Sequence, residues 1–179
     1  MTRVLPFAGA AIGGALVLAL CLAVSGGGAA AKSPAKPPAT TTWTAPDGSF
    51  EIATPRGWKA TASGSAATVL ERADKRGVIV VRRRAALTDP LETLAAKLER
   101  KLRRQISDFQ PAGSRLATVG DAQGLVYTFV RPRANQVQSI VVAPAAGRSY
   151  TLDLVADGDA PDVARELAAM VRSFAPQPR

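Results

Sequence analysis

The chain contains no histidine and a single cysteine, Cys21, and aromatic residues make up only 5% of it. Without histidine it lacks the side chain that titrates near neutral pH and the commonest nitrogen ligand of zinc. Cys21 lies in an N-terminal apolar run, so the rest of the chain has no thiol, no internal disulfide and no Cys–His nucleophile. A Ser or Thr nucleophile would need a Lys or carboxylate base. From Trp43 onward neither a G-x-S-x-G elbow nor an S-x-x-K pair occurs. Asp153, Asp157 and Asp159 are close in sequence, but they lack the twelfth-position Glu of a calcium loop. Asp157-Gly158-Asp159 reads instead as a turn and helix cap. No catalytic residue, metal ligand or cofactor site is predicted.

What the chain does have is positive charge and a long apolar start. Of 179 residues, 23 are Lys or Arg and 14 are Asp or Glu. From Trp43 onward the excess is still about +6, with Arg favoured over Lys. Val4 to Val24 is an uncharged apolar run of 21 residues behind Arg3. That is long enough to span a bilayer, with Arg3 on the cytoplasmic side. Three fates fit residues 1–31: an uncleaved anchor, a secretory signal cleaved at Ala29-Ala30-Ala31, or a lipidated signal ending at Cys21. Leu20 departs from the small residue that a lipobox places before its cysteine. All three export the remainder of the chain, which argues against a nucleic-acid partner. Residues 32–42 (KSPAKPPATTT) read as a Pro-rich linker too polar to pack, and residues 43–175 as one α+β domain.

The domain is organised around Asp47–Trp58. Phe50 and Ile52 alternate with Glu51 as in a strand with one buried face. Asp47-Gly48 supplies a turn before it, and Pro55 and Gly57 end it. Trp58 then returns an apolar ring towards the core. Ala67–Arg72 and Gly77–Arg84 read as two strands, and the β-branched Val78–Val81 segment suits a strand covered on both faces. Asp89-Pro90-Leu91-Glu92 is a helix start, with Asp89 as the cap. Leu91, Leu94, Leu98, Leu102, Ile106 and Phe109 form one apolar stripe, and Pro111-Ala112-Gly113 closes the helix. Four strands come next as a meander, Arg115–Gly120, Gly124–Arg131, Val137–Ala143 and Ser149–Val155. Their connections are short enough to make neighbours antiparallel, and the last of them gives a wet face or edge. A final amphipathic helix begins near Asp159-Ala160-Pro161-Asp162 and ends at Arg172-Ser173-Phe174.

This order of elements, with F-x-I-x-x-P-x-G-W at Phe50, Ile52, Pro55, Gly57 and Trp58 and Ser173-Phe174 at the end, resembles the PsbP-like fold family. Its bacterial envelope members include the DcrB-like and LpqN-like lipoproteins. The resemblance implies an α/β/α sandwich around an antiparallel sheet and non-enzymatic roles.

Basic residues supply the only candidate site. Arg82, Arg83 and Arg84 end one strand, and Lys97, Arg100, Lys101 and Arg104 crowd the polar face of the first helix. Lys97–Lys101 and Arg100–Arg104 are like-charge pairs at i,i+4, a local cost that an anionic neighbour would relieve. The expectation is an exported binding domain of the bacterial envelope, membrane-anchored or secreted, whose partner is an envelope protein or an anionic lipid headgroup or wall polymer. The alternative is a secreted hydrolase or transferase with an unrecognised site.

Overall fold

The computed structural model describes residues 39–63 and 67–177, with the side chains of Ala62 and Ser63 left aside. The apolar run, Cys21 and most of the Pro-rich segment lie outside these residues. Neither helix among the described residues is long and apolar enough to cross a membrane.

Strands β1 (Thr40–Thr44) and β2 (Phe50–Pro55) form a hairpin that β10 (Ala175–Pro176) extends into a three-stranded sheet. The turn between β1 and β2 is built as Asp47-Gly48 predicts: the Ser49 amide donates to the Asp47 carboxylate at 3.1 Å, and Gly48 takes φ +66°. β1 overlaps the end of the segment read as linker. Its threonines are β-branched, and a backbone ladder to β2 needs no apolar side chain, so a polar stretch pairs there.

The main sheet has seven strands in the order β3-β4-β5-β9-β8-β7-β6, all antiparallel. They are β3 (Trp58–Ser63), β4 (Ala67–Arg72), β5 (Gly77–Ala85), β6 (Gln110–Val119), β7 (Ala122–Arg131), β8 (Gln136–Ala145) and β9 (Arg148–Asp157). Helix α1 (Leu91–Gln105) follows β5, and helix α2 (Pro161–Ser173) follows β9. A single 3₁₀ turn, Pro132–Ala134, links β7 to β8. β3 is not among the strands read from the sequence: Trp58-Lys59-Ala60-Thr61 does alternate apolar and polar residues, but alanine is a weak strand former and the signal is faint. β9 is not the edge of the meander. β5 pairs with it over its whole length, with Val81 opposite Leu152, and so closes the sheet around it.

The two helices lie on opposite faces, which makes the α/β/α sandwich. On one face α2 packs Val163, Leu167, Met170 and Val171 against Ile79, Val81, Val141, Leu152 and Leu154. On the other, α1 packs Leu98 and Leu102 against Tyr127, Phe129 and Ile140. The larger core also takes the front motif: Phe50, Ile52 and Trp58 are buried, with Phe50 in ring contact with Tyr150 and Phe174.

Two local expectations are corrected. α1 ends at Gln105, and Ile106 is already extended, so Phe109 lies beyond the helix and Pro111–Gly113 belongs to β6. The bulge between Pro111 and Gly113 absorbs the proline that the sequence reads as a helix stop. Asp89 is not the cap of α1. The N-cap is Pro90, with no side-chain capping bond, and Asp89 instead accepts from Lys97 Nζ at 2.7 Å. At α2 the N-cap is likewise Ala160, while Asp157 and Asp159 both accept from Arg76, at 3.3 and 2.6 Å. Arg76 therefore ties the turn before β5 to the turn before α2.

Candidate functional site

Strand geometry decides what the Arg82–Arg84 run can do. Successive side chains alternate between faces, so three adjacent arginines cannot form one patch. Arg82 lies on the α1 face and pairs with Asp153. Arg83 lies on the α2 face and donates to Asp47 at 2.7 Å. Arg84 returns to the α1 face and is exposed. Helix α1 packs over β6 and β7, and β8 and β9 separate these strands from β5. At about 4.8 Å per strand the two basic groups stand roughly 14 Å apart across the sheet.

The helix itself keeps unneutralised charge. Lys97 is held by Asp89, and Arg103 donates to Glu99 at 2.7 Å while its guanidinium lies 5.6 Å above the Phe109 ring. Arg100 reaches only the Ala96 carbonyl, at 3.4 Å. Lys101 and Arg104 are exposed and form no ion pair among the described residues. Arg103 and Glu99 mark the flank of α1 that faces the β6 edge, because Phe109 leads directly into β6. The opposite flank, carrying Lys97, Lys101 and Arg104, therefore faces β8, β9 and β5.

Among the described residues that side of the sheet has no second helix. Val78 and Val80 on β5, Val69 on β4 and Val155 on β9 share the α1 face by register, and all four are half-buried. The expectation that Val78–Val81 is covered on both faces fails: α2 covers the face of Ile79 and Val81, and no described element covers that of Val78 and Val80. The result is an open trough. Its floor is mixed: the four valines share it with Asp153, which stands beside Val80 and pairs with Arg82, with Glu71 beside Val78 and with Gln138 beside Val155. Its wall on one side is the basic flank of α1. The sequence does contain the alternation that makes this floor, but an all-β-branched run hides it.

The α1 layer is tied down by a polar bond at its centre. The Tyr127 hydroxyl donates to Glu99 at 3.2 Å, with the ring almost fully buried beneath the helix. Burial, reinforced by the Glu99 carboxylate, pushes the Tyr127 phenol up to about 12 from an ordinary value of 10.0. The unfolded chain ionises this group first, so its contribution to stability is intact below pH 10 and is lost as pH rises from 10 to about 12. In an alkaline titration followed at 295 nm, one tyrosinate component is expected near pH 12, and Tyr127→Phe is expected to remove it. A variant that leaves the late component in place would place Tyr127 in water.

Elsewhere the described residues form two small recesses and one cleft. Two recesses under α2, of about 20 and 40 Å³, share Ser139, Leu154 and Ala168 and have room for a water molecule or so. A cleft of about 390 Å³ separates the small sheet from β3.

With this geometry in place, comparison with solved structures identifies the fold. The chain superposes on the cyanobacterial PsbP (CyanoP) of Synechocystis with a TM-score of 0.58 and 12% identity, over 83% of this chain and 98% of that one. The Ran-binding protein Mog1p of Saccharomyces cerevisiae gives a TM-score of 0.57 at 9% identity, over 76% and 94%. LpqN of Mycobacterium tuberculosis, described as involved in cell envelope biogenesis, gives 0.50 at 15% identity, over 78% and 91%. The chain thus has the PsbP-like fold. No protein-family model and no curated protein sequence matches it.

Proposed function

We propose that this is a non-enzymatic binding module of the bacterial cell envelope, held outside the cytoplasmic membrane by its N-terminal segment or released from it. Its contact surface is the trough beside α1, and its partner is an acidic amphipathic helix of another envelope protein. The observation that carries this reading is the half-built helical layer: one face of the sheet holds a basic helix and, next to it, a strip of valines that no described element covers. A helix laid on Val69, Val78, Val80 and Val155 would complete the sandwich, and carboxylates on its near side would meet Lys101 and Arg104. The relatives support the reading in a general way. One is a Ran-binding protein and another belongs to envelope biogenesis, so the same scaffold serves protein contact and the envelope elsewhere.

A photo-crosslinking residue at Val80, introduced into the full chain in its host, is expected to trap one acidic protein. The charge reversal Lys101→Glu/Arg104→Glu should cut that yield about tenfold, the scale of losing close charge pairs. The same crosslinker at Arg165, on the exposed side of α2, should trap nothing comparable. Equal yields with and without the reversal would end the acidic-helix assignment. Adsorption of the chain to anionic vesicles, abolished by the same reversal and without any protein adduct, would move the partner to lipid headgroups.

A further inference from the structure

The cleft between the two sheets is bordered by two strand edges that have no partner among the described residues, β1 and β3. The phase of the ladders shows which backbone groups face it. In the first hairpin the Arg56 amide donates to the Ala39 carbonyl at 3.2 Å, and the Ala45 amide to the Phe50 carbonyl at 3.0 Å. Odd-numbered residues of β1 therefore bond to β2, and the N–H and C=O groups of Thr40, Thr42 and Thr44 point outward. In the second hairpin the Ala73 amide donates to the Gly57 carbonyl at 2.8 Å, so Lys59 and Thr61 bond to β4. The backbone groups of Trp58 and Ala60 then point outward. Thr42, Trp58 and Ala60 all line the cleft.

The walls fit the same occupant. Trp43 and Trp58 with Pro55 make an apolar floor, and the Thr54 hydroxyl, buried there, has no hydrogen-bond partner. Trp58 cannot swing out, because its indole N–H donates to Glu166 at 2.7 Å. Arg56 stands exposed at the mouth with no ion pair among the described residues. Natural sheets blunt an open edge with charge, proline or a bulge, as β6 does with Pro111 and its irregular register. The β1 sequence, Thr-Thr-Thr-Trp-Thr, has none of these.

We infer that this cleft is a second binding site, for an extended peptide segment of a partner protein added as a strand along the outer edge of β1. Main-chain hydrogen bonds to Thr42 give the affinity. A small apolar side chain enters the Trp43–Trp58 floor, and a carboxylate of the peptide meets Arg56. A glycan fits less well, since Trp58 is too buried to offer a ring face for stacking.

The test is selection of a random twelve-residue phage-displayed library on the full chain held in lipid nanodiscs. Enriched peptides are expected to alternate apolar and polar residues and to carry Asp or Glu near one end. A synthetic copy of the best peptide should slow amide exchange at Thr42 about tenfold or more, while Thr41, already bonded to β2, changes little. Thr42→Pro removes an outward donor without touching the β1–β2 ladder and should abolish binding. Arg56→Glu, a surface change, should weaken it at low salt. Failure to enrich any sequence, or a peptide that binds both variants as well as the parent, overturns the site. Tighter binding after deletion of residues 32–38 would show that the chain's own linker occupies the cleft, which overturns the assignment to a partner.

Discussion

Phe174→Ala is expected to destabilise the domain by about 3–5 kcal/mol, the cost of removing a fully buried ring from a core that cannot collapse onto the space. Phe174 is completely enclosed. Its ring centroid lies 5.2 Å from Phe50 and 5.3 Å from Tyr150, so one side chain joins the small sheet, the main sheet and the end of α2. The preceding residue fixes the same junction through its hydroxyl: Ser173 Oγ accepts from the Ala53 amide at 2.9 Å and donates to the Met170 carbonyl at 2.8 Å. Against an ordinary domain stability of roughly 5–15 kcal/mol, this loss is about a fifth of the total or more. In urea, with a slope of about 2 kcal/mol/M, the midpoint should fall by about 2 M. Phe174→Leu, which keeps most of the volume, should cost less than about 1.5 kcal/mol. A loss below about 1 kcal/mol for the alanine variant would mean that the small sheet is not held through this residue.

Gly77→Val should be comparably damaging for the opposite reason, overpacking. Gly77 opens β5 beneath the first turn of α2. A Cβ there would stand 2.4 Å from Val163 Cγ1 and 2.9 Å from the Trp58 ring. Neither neighbour can yield freely. Val163 is fully buried in α2, and Trp58 is tied to Glu166 on the same helix. Adding even one methyl group to a filled core costs about 1–3 kcal/mol, and the isopropyl group should reach the top of that range or exceed it. Heat or urea denaturation followed by tryptophan fluorescence reports both the loss and any displacement of Trp58. The mechanism is checked by a cycle with Val163→Ala. If crowding is the cause, the second substitution should recover about 1 kcal/mol or more in the Gly77→Ala background. No recovery would assign the effect to the strand backbone instead.

Much of this architecture is legible without coordinates, because it rests on local chemistry. Phe50, Ile52, Pro55, Gly57 and Trp58 mark a strand, its end and the return of a ring to the core, and all behave so. Gly57 takes φ +90°, which an L side chain resists, so the turn after Pro55 has a reason to be glycine. The helical stripe of Leu91, Leu94, Leu98 and Leu102 and the meander's short turns are equally direct. Where the reading slips, two local rules compete. Pro111 looks like a helix stop but sits in a bulge of β6, and Asp89 looks like a cap but pairs with Lys97.

The basic residues show where local reasoning ends. Their identity and their crowding on α1 are facts of the sequence, and so is the electrostatic cost of Lys97–Lys101 and Arg100–Arg104. Which of them stay unpaired is decided by carboxylates far along the chain: Asp153 takes Arg82, and Asp47 takes Arg83. Sequence also cannot say that β5 joins β9, which places β9 in the middle of the sheet. Nor can it say that α1 covers β6, β7 and only Ile140 of β8, leaving the trough open beside it. The sequence by itself determined the elements, their faces and the excess positive charge, since each depends on neighbours within a few positions. The sheet order, the ion pairs and the two uncovered surfaces were left to the tertiary structure, because each requires groups tens of residues apart to meet.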